Sequence, residues 1–452
     1  MIPESKQIET IVIKKITPTQ KEKKQIQDII KSLKEKVKKE INKTKIPITI
    51  ELVGSTAKDT YIRTSVDIDL FLLFPPSVPR EILQKKGLAI GRAILENQEE
   101  CFAEHPYIRG TFQGYKTELV PCYKIEDASQ KLSAVDRTPF HTKYIQDHLK
   151  QSQKKEVRLF KQFLKGINCY GAEAEIEGFS GYLCEIIILK YGTFQHSIEQ
   201  AAQWSYGEKL ALQPGTYPDF PTPLTFIDPV DSERNVASAL SKEKFKVFKK
   251  ACTDYQNQPR LTFFFPKKIK PWSIDKIKKE LDATNVIGVK IQKPAIIPEN
   301  LYPQIRKAMR AIRDLCNHHG FTIKNATFTV EKKNVYIILF PSTKTLSKTI
   351  LHLGPPASLK KNADEFIKKW QDHPRTTQIP FQRDGRLYVE IEREYTEIRN
   401  LLEDKIRRLS LGRNMDSETA KKLTVLEKND LLTENLRIFW TDFLDPRMSW
   451  ER

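Results

Sequence analysis

Asp67 and Asp69 stand one residue apart, twelve residues after a Gly54-Ser55 pair. On a β-strand, alternate residues share a face, so the two carboxylates would lie about 6.5–7 Å apart along the chain. That separation suits two Mg²⁺ ions about 3.5–4 Å apart that bridge the carboxylates and a triphosphate. A glycine-serine turn lets backbone N–H groups approach phosphate oxygens closely. A third carboxylate from a neighbouring strand is then required, and Glu118 is the candidate. The chemistry of such a set is in-line displacement, with a hydroxyl attacking and pyrophosphate leaving. A D-x-D pair alone is a weak signal, because solvated strand faces also carry acids. Here the acids recur on one face in a strongly basic chain, which a solvated face does not explain.

These residues need particular elements to hold them. Ile48–Val53 reads as a short strand ahead of Gly54. Val66–Phe74, VDIDLFLLF, reads as a second, ended by Pro75-Pro76, and Gly110–Tyr123 holds at least one further strand carrying Glu118. A helix over 18–43 packs Ile26, Ile29, Ile30, Leu33, Val37 and Ile41 at spacings of three and four, with Thr19 and Glu22 as a capping box. A helix over 79–98 completes a small α/β unit, taken as domain 1–143. Helical patterns dominate 144–260: about 154–168, a segment after Gly178–Gly181, and about 234–253. A Pro-rich stretch over 214–230 interrupts them. From 261 the order is β-α-β-α-β-β, with LTFFFP as its first strand, resembling a split βαβ, ferredoxin-like unit. Residues 261–452 are taken as the third domain, with a tail insertion at about 320–385 whose part from 342 is basic and rich in Pro and Gly. The fold class expected is α+β, multidomain.

The chain has 452 residues, 76 Lys and Arg against 57 Asp and Glu, and a net charge of +19. That balance favours a polyanionic partner, nucleic acid before a membrane surface. Ten lysines against four acids fall in 21–45. No run of about 18 apolar residues is present, so no membrane span is expected, and the N-terminus shows no signal-peptide pattern. Six cysteines are spread singly without CxxC, which points to reduced thiols and a cytoplasmic setting. His318-His319 beside Cys316 lacks zinc-site spacing and reads as a polar helix end.

The run Gly54-Ser55-Thr56-Ala57-Lys58-Asp59-Thr60 through Asp67-Ile68-Asp69-Leu70-Phe71 resembles the signature of archaeal-type (class I) CCA-adding enzymes. These belong to the DNA polymerase β-like nucleotidyltransferases. Further blocks resemble the same family: Glu118–Tyr123, Arg137–Thr142, Leu164–Glu173, Gly178–Leu183, and Ile227–Asp231 with Arg234–Ala237. The resemblance implies a catalytic head, a helical neck, and a ferredoxin- or RRM-like body with a tail. It implies stepwise addition of C, C and A to tRNA from CTP and ATP with Mg²⁺. It makes Asp67, Asp69 and Glu118 the metal ligands, and Gly54, Ser55, Lys58, His141, Lys161, Tyr170 and Arg234 the nucleotide-binding residues. Elementary chemistry agrees, since Lys and His bring positive charge to a triphosphate and Tyr stacks or donates. The expected RNA contacts are the acceptor stem and T arm, read by shape, and a homodimer is left open. The alternatives are that Lys161 is an exposed helix residue, His141 a loop histidine and Tyr170 a core residue.

Two positions depart from the family pattern. Glu118 stands where Asp is usual, and Arg63-Thr64-Ser65 where Arg-Gly is usual. A turn needing positive φ would strain Thr64. Two alternatives share the core motif: a poly(A) polymerase or oligoadenylate-type synthase, and a non-catalytic RNA-binding relative.

Overall fold

The computed structural model describes residues 4–102, 105–415 and 423–452, which divide into two compact units. The first runs through Lys268 and takes in Arg447–Arg452; the second is Ile269–Pro446.

In the first unit, α1 (Glu4–Ile16) and α2 (Gln20–Asn42) precede a five-stranded sheet. Thr19 caps α2: its Oγ1 accepts from Glu22 N at 3.3 Å while its own N donates to Glu22 at 2.7 Å. All six apolar positions of the expected stripe are buried. The strands are β1 (Thr49–Val53), β2 (Asp67–Phe74), β3 (Glu96–Phe102), β4 (Pro106–Phe112) and β5 (Tyr115–Tyr123), in the order β1-β2-β5-β4-β3. Only β2 and β5 are parallel, with Asp69 opposite Glu118. The first half of β2 alternates and the rest is buried on both faces, as its unbroken LFLLF requires. Between them, α3 (Gly54–Lys58) follows β1, and α4 (Arg80–Ile94) covers the sheet. Gly87 and Gly91 let α4 lie flat, because a Cβ on either would come within 2.6 Å of Pro121 or Ile108. The helix expected to reach 98 stops at Leu95, whose burial returns the chain to the sheet as β3.

Next come α5 (Thr138–His148), α6 (Gln153–Gly166), α7 (Gly181–Tyr191) and α8 (Phe194–Gln203). A small sheet of β6 (Glu208–Leu210), β7 (Leu224–Asp228) and β8 (Asp231–Asn235) follows, then α9 (Lys242–Asn257). The helix expected from 234 begins eight residues later. Asn235 takes the earlier stretch: its side chain accepts from Phe226 N and Ala237 N and shapes a turn. LTFFFP is a 3₁₀ turn over Leu261–Phe263 rather than a strand. Phe263 and Phe264 instead enter a buried aromatic cluster with Phe163, Phe194 and Tyr255. Trp450 stacks on Phe263 at 5.4 Å, so the last residues return to this unit instead of staying with the body.

In the second unit, α10 (Ile274–Glu280), β9 (Ile287–Gln292), α11 (Pro298–His318), β10 (Ile323–Val330) and β11 (Asn334–Pro341) follow the expected order. The fourth strand of the sheet is β15 (Thr424–Glu427), not residues near 261, and the order is β10-β11-β9-β15. Within the expected insertion lie β12 (Thr349–Pro356), α12 (Lys360–Trp370) and β13 (Thr376–Arg383), and β14 (Arg386–Glu392) completes a separate three-stranded sheet. Trp370, Val389 and Ile391 form its own small core. The chain continues with α13 (Ile398–Lys405) and α14 (Arg437–Leu444). No helix among the described residues is long and apolar enough to cross a membrane.

Candidate active site

One cavity of about 460 Å³ in the first unit is lined by all ten residues singled out from the sequence: Gly54, Ser55, Lys58, Asp67, Asp69, Glu118, His141, Lys161, Tyr170 and Arg234. The acids come from the start of β2 and the middle of β5, on one face of the sheet. The cations come from α3, α5, α6 and β8.

Gly54 has a φ of 73°, and a Cβ there would fall 1.9 Å from Asp69 Oδ2. Only glycine lets the turn after β1 pass so close to that carboxylate. Thr64 keeps a negative φ, so the expected strain is absent. Asp67 has Lys116 Nζ at 3.8 Å. The Asp69 carboxyl is pushed up to about 7 by burial and by the Glu118 and Asp67 charges beside it. Glu118 accepts from Arg109 Nε at 2.7 Å, and Arg109 also donates to Tyr107 Oη at 3.0 Å. The extra methylene of Glu118 relative to Asp carries its carboxylate within reach of β4, where Arg109 is the cross-strand partner.

The cations are held by two buried anions. Glu185 is fully enclosed; its Oε2 accepts from Lys58 Nζ at 2.5 Å, and its Oε1 from Thr60 Oγ1 at 2.6 Å and Lys161 Nζ at 3.1 Å. Lys161 also donates to Thr60 O and Oγ1 at 3.3 and 3.2 Å, which occupies its three N–H directions. At 2% exposure Lys161 is a buried residue, not the solvent face of its helix. Burial pushes the Lys58 ammonium down, against the opposing pull of Glu185. Burial pushes Glu185 up, but Lys161 and Lys58 outweigh it and hold the carboxyl below its ordinary value.

Asp228 is the second anion. His141 Nε2 lies 2.7 Å from its Oδ2, Arg234 donates to the same oxygen at 2.8 Å, and Tyr182 Oη donates to Oδ1 at 3.1 Å. Burial would raise the Asp228 carboxyl, yet His141 and Arg234 lower it to about 2. An ionised Asp228 requires the proton on Nε2, which fixes the His141 tautomer. Burial pushes His141 down, and its ring stacks on Tyr182 at 4.1 Å. Burial raises the Tyr170 hydroxyl well above its ordinary value, and its ring has Lys165 over it at 5.2 Å.

Sequence reasoning missed three residues. Glu185 had a signal, a lone charge in the apolar run Leu183–Leu189, since a buried carboxylate must be paired. Asp228 stood inside a quoted block without a role. Arg109 carried no sequence signal, because its meaning depends on strand register.

Among the described residues, no three His, Cys, Asp or Glu side chains converge into a ready-made metal cage. The donors present are nonetheless all hard carboxylate oxygens. Mg²⁺ characteristically takes one or two such carboxylates and completes its shell with water and substrate phosphates. The residues fit a divalent ion that arrives with a nucleotide.

The sheet, the acidic face and the cation-lined cavity together describe a nucleotidyltransferase, and a family model described as "Nucleotidyltransferase domain" matches residues 15–141. "tRNA nucleotidyltransferase, second domain" matches 155–265, and "CCA-adding enzyme, C-terminal domain" matches 282–428. The CCA-adding enzyme of Methanosarcina acetivorans is 32% identical over 436 residues, 95% of each chain. That of Methanosarcina barkeri is 34% identical over 432 residues, 94% of each chain. That of Archaeoglobus fulgidus is 36% identical over 347 residues, 76% of this chain and 78% of its own. The chain belongs to the CCA-adding enzyme family of tRNA nucleotidyltransferases.

Proposed function

We propose that the 460 Å³ cavity is the site at which this enzyme extends tRNA. The family's activity is template-independent addition of C, C and A to the tRNA 3′ end, with tRNA and nucleoside triphosphates as substrates. The observation that carries the site assignment is the pairing of Asp69 with Glu118 across parallel strands, opposite two cation clusters that are each tied to a buried carboxylate.

In this reading Asp67, Asp69 and Glu118 would hold Mg²⁺, which when bound stabilises the negative charge developing on the transferring phosphoryl group. Lys58 donates N–H groups to phosphate oxygens, and the Ser55 hydroxyl adds another donor. His141, its Nε2 proton committed to Asp228, presents a fixed ring edge. Arg234 uses one nitrogen on Asp228 and has further N–H donors for the incoming base and the RNA backbone. Tyr170 offers a hydroxyl that stays protonated and a ring for stacking. Pyrophosphate is the product released. The acceptor stem and T arm are held elsewhere, by basic surface and shape. Six buried, unbridged cysteines suit a reducing cytoplasm.

Radiolabelled CTP alone, ATP alone and both together, offered with tRNA lacking CCA, test the reading. Incorporation of C from CTP and of A only after C is expected; a long A tail, or no incorporation, would overturn it. Binding of tRNA is expected to weaken steeply with salt, and CTP binding much less; equal slopes would place both on one surface.

A further inference from the structure

Glu185 has no role in the mechanism above, yet two of the three cavity-lining lysines, Lys58 and Lys161, end on it. It stands in α7 between Cys184 and Ile186, in a run of buried side chains, with no exposed surface. Its three donors come from separate places: Lys58 from the end of α3, Thr60 from the segment after it, and Lys161 from α6. A clamp serving only to join these segments would be satisfied by one cation for one anion. Here two ammonium groups share one buried carboxylate. An entering polyphosphate offers them the charged acceptors that this single carboxylate does not.

The two lysines are not equivalent. Lys161 has its three N–H directions taken by Thr60 and Glu185, while Lys58 gives one described hydrogen bond, to Glu185, and has the Tyr182 ring at 5.9 Å. We infer that Glu185 is a positioning residue for the nucleotide: it holds Lys58 charged and directed at the triphosphate, and Lys161 with Thr60 locks the carboxylate in the orientation that does so. The inference rests on the reading of Lys58 as a phosphate contact. Glu185 touches no reacting atom and acts through Lys58.

The test measures kcat and KM for CTP and ATP in the full-length enzyme at saturating tRNA, for Lys58→Ala, Glu185→Gln, the double variant and Thr60→Val, with thermal unfolding to score folding. A purely structural role lowers the folded fraction, which reduces kcat and leaves KM unchanged. A lost charge-assisted hydrogen bond corresponds to roughly a tenfold or larger change. Expected are a KM rise of about tenfold or more for both nucleotides in Lys58→Ala and about tenfold in Glu185→Gln, with kcat within about threefold. The double variant is expected to match Lys58→Ala, because Glu185 has nothing left to position. Unchanged KM in Lys58→Ala would overturn the reading of the lysine itself. A raised KM in Lys58→Ala with an unchanged or fully additive Glu185→Gln would overturn this inference alone. Should Glu185→Gln fail to fold, Thr60→Val decides: a KM rise of about threefold supports the inference, and an unchanged KM overturns it.

Discussion

On one wall of the cavity, Asp69 is crowded by Glu118 and Asp67, and Asp67 has Lys116 no closer than 3.8 Å. On the other, Lys58, Lys161, His141 and Arg234 each meet a buried carboxylate at 3.1 Å or less. The protein therefore ties these four cations to its own carboxylates, whereas on the acidic wall it pairs Glu118 with Arg109 at 2.7 Å and leaves Asp69 crowded by like charge. The carboxyl shifts carry the same contrast, since Asp69 is raised to about 7 and Asp228 lowered to about 2. Like charges forced together store unfavourable energy that an arriving cation can release. Cations fixed in advance cost no reorganisation when a polyphosphate arrives. In the proposed reading the two walls have different tasks, one to take up positive charge with the substrate and one to orient negative charge.

Four substitutions break or sharpen this contrast. Asp69→Ala is expected to lower turnover by about a thousandfold or more with the fold intact, by incorporation assay and thermal unfolding. Near-normal turnover would remove Asp69 from the acidic wall's task. Gly54→Ala places a Cβ against Asp69 Oδ2 at a φ of 73°. It is expected to cost about 1–3 kcal/mol of stability and on the order of a hundredfold in kcat, by denaturant unfolding and steady-state kinetics.

The remaining two concern pH and have opposite signs. Asp69 keeps a proton in the fold, below about 7, that the unfolded chain has lost above 3.8. Its contribution is full below 3.8 and is lost as pH rises through 7. With a chelator present, Asp69→Asn is therefore expected to stabilise the protein at pH 8 by on the order of 4 kcal/mol and to have no effect near pH 3.5. Asp228 behaves in reverse: its contribution is present above 3.8 and is lost as pH falls through 2. Asp228→Asn is expected to cost about 2 kcal/mol at pH 7, with the difference shrinking below pH 3.8. Thermal unfolding across pH measures both, and shifts of the same sign would erase the distinction between the walls.

Much of this arrangement was legible in the chain. The stripe of α2 and the capping box at Thr19 and Glu22 are local, and local periodicity and hydrogen bonding decide them. The alternation in VDIDL placed Asp67 and Asp69 on one face before any partner strand was known. What misread was non-local. LTFFFP has strand composition, but burial of Phe263 and Phe264 in an aromatic cluster outweighed local propensity, and the sheet took β15 as its fourth strand instead. The segment at 234–241 lost its helix to the Asn235 side chain, whose acceptors are fixed by β7.

The sequence by itself singled out the candidate groups: a glycine-serine turn, acids in alternate strand positions, and the lysines, histidine, tyrosine and arginine that the fold brings to the same cavity. Those choices rest on residue type and short spacing, which the chain carries in one dimension. Tertiary structure alone decided what each group is worth. Glu185 is 127 residues from Lys58, Asp228 is 87 from His141, and Arg109 meets Glu118 only through the β4–β5 register. Charge state and orientation depend on burial and on partners within a few ångströms, and folding is what sets both.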